Sequence, residues 1–79
     1  MTKQTERVIA FLAPLGRNEK EKVICGSSLT DREMNILLFR FVRGLSLKES
    51  SERLNMEYDT FNKAQKRAID KMYTFLFAS

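Results

Sequence analysis

The sequence predicts an all-α protein, a small bundle of about five helices. Three observations lead there. Apolar residues recur at three- and four-residue spacings through most of the chain. Two boxes of the form Ser/Thr-x-x-Glu, Thr30–Glu33 and Ser46–Glu49, mark helix starts. The 79 residues include one proline and three glycines, with no alternating apolar run and no Asn-Gly or Asp-Gly turn to support a strand reading.

The first helix is expected over residues 2–13, where Val8, Phe11, Leu12 and then Leu15 share a face and Pro14 ends it. Asn18, with Glu21 three residues on, reads as the cap of a short second helix stopping at Gly26, and Ser27-Ser28 is a brief linker. The third helix opens at the Thr30 box, with Leu29 and Met34 spaced as a hydrophobic staple. It carries Ile36, Leu37, Phe39, Phe41 and Val42, and ends where Gly44 can enter the left-handed conformation. A short fourth helix follows from the Ser46 box to about Leu54-Asn55. The last starts near Asp59 or Thr60 and runs to about Phe77, with Phe61, Ala64, Ala68, Ile69, Met72, Tyr73 and Leu76 inward. The length suits one domain over 1–79, made of an N-terminal helical segment (1–28) and a second part (29–77). Its core is small, since a chain this short buries only about 60% of its unfolded surface.

The formal charge is +4, from 14 basic and 10 acidic residues. Residues 29–57 net to zero: Arg32, Arg40, Arg43, Lys48 and Arg53 against Asp31, Glu33, Glu49, Glu52 and Glu57. The excess lies in the first 28 residues and on the last helix, where Lys63, Lys66, Arg67 and Lys71 outnumber Asp59 and Asp70. Such a balance suits a polyanion partner without requiring one. Histidine is absent and Cys25 stands alone, which removes Cys/His metal sites, internal disulfides and Cys–His or Ser–His catalysis. Cys25 reads as a small buried apolar residue and the compartment as the reducing cytoplasm. The apolar stretch Val8–Leu15 is too short to span a bilayer, so no membrane partner is expected. The carboxylates are scattered and no glycine-rich phosphate loop occurs, so the chain is not expected to be an enzyme, and no catalytic residue, metal or cofactor is expected.

The short helix from Ser46, a tight turn and a longer basic helix make a helix-turn-helix, in which the second helix enters the major groove and the first braces it. On the outer face of the second, Thr60, Asn62, Lys63, Lys66 and Arg67 fall away from the apolar stripe. Asn62 suits adenine, and the cations suit guanine edges or phosphates. Spacing alone leaves a solvated face equally open.

Leu29-Thr30-Asp31-Arg32-Glu33, the run Leu37–Glu49, Leu54, Thr60, Arg67-Ala68-Ile69 and Lys71-Met72 together resemble region 4 of the sigma-70 family, without a gap over residues 29–72. A LuxR-type helix-turn-helix is similar in Leu29–Glu33 and Gly44–Glu49, but needs a one-residue shift before Gly44 and a further helix at the end. The sigma resemblance implies a bacterial or phage DNA-binding transcription regulator whose last helix (about 59–72) reads double-stranded DNA. It also implies that Ser46 and Lys48 touch phosphates, with RNA polymerase or another transcription factor as a second partner. The chain departs from the family at Ser50-Ser51 (usually isoleucine–alanine), at Asn55 (usually glycine), at Gln65 (usually leucine), and at Glu57, where a serine cap is usual and Asp59 is the expected substitute. Seventy-nine residues cannot also hold the region that recognises and melts the other promoter element. Tyr73, Phe75, Leu76 and Phe77 make an apolar C-terminus, expected to pack on the first helix and to leave surface for a partner or a homodimer. Glu57 and Asp59 favour a second reading, a protein-interaction module on the same fold that binds a polymerase, a sigma factor or another regulator.

Overall fold

The computed structural model describes residues 3–77, and among these the regular structure is helical throughout. The elements are α1 (Lys3–Leu12), α2 (Arg17–Cys25), α3 (Asp31–Leu37) continuing into a π-helical turn (Leu38–Val42), α4 (Leu47–Arg53) and α5 (Tyr58–Phe77). The expected start of α1 at Thr2 lies outside the described residues.

α1 buries Val8 and Leu12, one turn apart on the same face. The cap of α2 is Gly16 rather than Asn18: Arg17 is already helical, and the Glu19 carboxylate accepts the Gly16 amide at 3.3 Å. Asn18 thus falls inside the first turn, and Glu19 at the third helical position closes the end from the other side. The helix stops at Gly26 as expected, whose amide donates to the Lys22 carbonyl at 3.0 Å. Ser27 is buried with its hydroxyl on the Ile24 carbonyl at 2.7 Å. Cys25 is exposed, contrary to the buried position expected of it, because Ile24 is the residue α2 turns into the core.

The Thr30 capping box forms in full. The Glu33 amide donates to Thr30 Oγ1 at 3.2 Å, and Glu33 Oε1 accepts the Thr30 amide at 3.0 Å and its hydroxyl at 3.1 Å. The same oxygen accepts Lys71 Nζ at 3.0 Å, which ties the start of α3 to α5.

The helix expected to run evenly to Gly44 widens after Leu37. The Arg43 amide reaches back five residues to the Leu38 carbonyl and the Leu45 amide six, to Phe39, both at 2.9 Å. Gly44, at φ +70°, closes the turn in the left-handed region as expected.

The core consists of Val8, Leu12, Ile24, Ile36, Leu37, Phe61, Ala68, Ile69 and Met72, drawn from α1, α2, α3 and α5. α4 adds no fully buried apolar side chain; it turns Ser50 and Ser51 inward, with Leu47 and Leu54 packed at its edges. The apolar C-terminus packs on α1 as expected. The Phe11 and Phe77 rings meet edge to face with centroids 5.9 Å apart, Tyr73 leans on Phe77 at 5.3 Å, and the Arg7 guanidinium lies 4.8 Å from the Phe77 centroid. Phe75 points away from this cluster and stays 46% exposed, as the helical spacing of residues 75–77 requires.

Candidate nucleic-acid interface

The helix-turn-helix runs from Ser46 through α5. Ser46 caps α4, its hydroxyl accepting the Glu49 amide at 3.1 Å, while Glu49 returns no bond to the Ser46 amide, so this second box is half made. The end of α4 is a Schellman closure: the Met56 amide donates to the Ser51 carbonyl at 2.9 Å and the Asn55 amide to the Glu52 carbonyl at 3.1 Å. Asn55 holds the left-handed position at φ +54°, which its short polar side chain tolerates better than most. Inside α4, the Ser51 hydroxyl donates to the Lys48 carbonyl at 2.9 Å, whereas the buried Ser50 Oγ has no partner.

α5 starts at Tyr58, with the Phe61 amide on the Glu57 carbonyl at 2.8 Å. Glu57 therefore takes the cap position. Asp59, expected to cap, lies inside the first turn, where its charge faces the positive end of the helix dipole.

Thr60, Asn62, Lys63, Lys66 and Arg67 are all exposed, as are Ser46 and Lys48 at the start of α4. At 3.6 residues per turn the five α5 side chains spread over an arc of roughly 160°, in the order Asn62, Lys66, Lys63, Arg67, Thr60. The fold assigns the ends of that arc to different grooves. Thr60, Lys63 and Arg67 line one with Ala64, Met56 and Arg32 of α3. Asn62 and Lys66 line another with Gln65, Arg40, Phe41 and two α1 residues, Thr5 and Ile9.

Arg32 was not anticipated at this site. No local spacing relates it to Lys63 and Arg67, because the seam between α3 and α5 that joins them is a tertiary feature. The second groove contains a polar bridge that was also not anticipated. Arg40 Nε donates to Gln65 Oε1 at 2.8 Å and Arg40 Nη1 to the Leu45 carbonyl at 2.7 Å. Gln65, a departure from the family pattern, is thus the acceptor for an arginine that also holds the residue before Ser46.

Among the described residues, Glu33, which lies behind this surface, is the one ionisable group whose titration is clearly shifted. Burial pushes the Glu33 carboxyl up, but the Thr30 amide, the Lys71 ammonium and the Thr30 hydroxyl together outweigh it and hold the carboxyl below its ordinary range. Among the described residues no three His, Cys, Asp or Glu side chains gather as metal ligands, and no helix is long and apolar enough to cross a membrane.

The family model described as Sigma-70, region 4 matches residues 27–74. No curated protein and no solved structure matches the chain. The family is a helix-turn-helix DNA-binding one, and the matched span takes in α3, the π turn, α4 and most of α5 but leaves α1 and α2 outside it.

Proposed function

We propose that this chain, which belongs to the sigma-70 region 4 family, is a transcription regulator that reads duplex DNA with α5 in the major groove. The observation that carries this reading is the cleft along the α3–α5 seam, where Arg32, Lys63 and Arg67 converge beside the Thr60 hydroxyl. Three cations from two helices on one concave surface suit a phosphate backbone better than a scattered solvated face does. Lys63 and Arg67 lie within the groove-facing arc, Asn62 and Lys66 extend it on the α1 side, and Ser46 and Lys48 meet phosphates at the start of the brace helix. The protein acts in the cytoplasm, where its DNA lies.

The test is an NMR titration of labelled protein with a mixed-sequence duplex at low and then higher salt. Amide shifts at Arg32, at 46–48 and at 58–67 that fade with salt support the reading. Lys63→Ala and Arg67→Ala should each lower the salt slope by about one. If those amides stay still at low salt, groove reading is wrong.

A second reading has its own support: Phe11 and Phe75 remain exposed on the surface away from the reading arc. Such residues suit a protein partner, whether RNA polymerase, another transcription factor or a second copy of the chain. Shifts confined to α1 and residues 73–77 on adding a polymerase, with none on adding DNA, would favour it.

A further inference from the structure

Tyr58 is the first residue of α5 and is 51% exposed, the most exposed large apolar side chain among the described residues. Its ring meets no other aromatic ring, and its hydroxyl makes no hydrogen bond among the described residues. Ordinary packing gives no reason for an aromatic group in this place. Helical side chains lean toward the N-terminus, so a ring on the first helical residue overhangs the tip of the helix. In a major-groove reader, the first turn is the part that reaches base edges. Tyr58 and Asn62 are four residues apart and therefore stacked along one face, with Lys66 a further turn back.

We propose that Tyr58 is a specificity-determining residue that presses its ring against the C5-methyl of a thymine in the step next to the pair contacted by Asn62. This rests on the DNA-reading function proposed above. The chemistry narrows the choice of base. Thymine alone offers an apolar group in the major groove, and the other base edges there are hydrogen-bond donors and acceptors. A half-exposed ring gains by covering a methyl, whereas a polar base edge set against its face would lose water without a partner. Asn62 one turn back is suited to adenine N6 and N7, so the tip of the helix favours adjacent A·T pairs.

The experiment selects a preferred site for the wild-type protein from a pool of duplexes with a randomised centre. The chosen duplex is then remade with deoxyuridine in place of each thymine in turn, which removes only the methyl. One substitution should weaken wild-type binding about fourfold, the worth of one buried methyl group. The same substitution should leave Tyr58→Ala unaffected, while Tyr58→Phe should behave as wild type. Because Tyr58 is exposed, these variants should unfold at the wild-type temperature, which separates a lost contact from a lost fold. If the wild type selects a site and Tyr58→Ala selects the same one with the same deoxyuridine penalties, the thymine contact is refuted and DNA reading stands. If the wild type binds no duplex even at low salt, the DNA-reading function itself fails, and the thymine contact with it.

Discussion

Arg40 and Gln65 are joined by a 2.8 Å hydrogen bond from Nε to Oε1, and the same guanidinium holds the Leu45 carbonyl at 2.7 Å. One side chain thereby fixes the strand of chain leading into α4 against the middle of α5. The relative placement of brace and reading helices decides whether phosphate contacts and base contacts can be made together. Leucine at position 65 would leave a half-buried guanidinium N–H without an acceptor. Gln65→Leu should therefore lower stability by about 1.5–3 kcal/mol in urea unfolding, the range for a hydrogen bond to a charged group. Gln65→Glu keeps the acceptor and should cost much less.

The hydroxyl of Ser50 is fully buried without a partner. Removing an unsatisfied polar group from an apolar setting is favourable, so Ser50→Ala should stabilise the protein by about 1 kcal/mol, read as a higher urea midpoint at unchanged slope. Ser51→Ala removes a hydroxyl that does have a partner, the Lys48 carbonyl, and should bring no such gain.

Asn55 sits at φ +54° in the closure of α4. Glycine adopts that conformation without a Cβ penalty, whereas alanine meets it in full. Thermal unfolding should place Asn55→Ala about 1 kcal/mol below wild type and Asn55→Gly at or slightly above it.

Glu33 loses its proton at lower pH in the folded protein than in the unfolded chain, despite its burial, because Thr30 and Lys71 stabilise the carboxylate. Its contribution to stability is therefore complete above the ordinary glutamate range. Below that range the unfolded chain takes up the proton first, and stability falls as pH drops toward the depressed folded value. Urea midpoints followed from neutral pH into acid should show this fall in the wild type and a shallower one in Glu33→Gln. An equally steep fall in both would show that the carboxylate is not the source.

Much of this fold can be read from local chemistry. The Thr30–Glu33 box, Gly44, Ser46 and the left-handed Asn55 act within a few residues of themselves, and each stands where the sequence places it. The π turn could not be read in the same way. Leu37, Leu38, Phe39, Phe41 and Val42 are apolar on every side, so their spacing does not separate a period of 3.6 from a wider one. The cap at Gly16 is hidden because Glu19 and Glu21 supply a capping signal at two offsets, and that at Glu57 because glutamate is a poorer cap than the aspartate two residues on. The interface was half legible. Helical period alone puts Thr60, Asn62, Lys63, Lys66 and Arg67 on the outside of α5. Their division between two grooves depends on α3 and α1, which approach from distant parts of the chain.

The wide turn at Leu38–Val42 also bears on changes in chain length. A π turn holds one more residue than the α turn it replaces, so the chain carries slack at this point. Deleting a single residue between Leu38 and Val42 could be absorbed by rewinding to regular α geometry, leaving Gly44 and everything beyond it in step. The rewound helix would rotate Arg40 away from Gln65, so the deletion would preserve the helices while uncoupling the two that make up the reading unit. Insertions and deletions in relatives of this chain would therefore concentrate in this segment, and would alter how the reading helix is set rather than whether the protein folds.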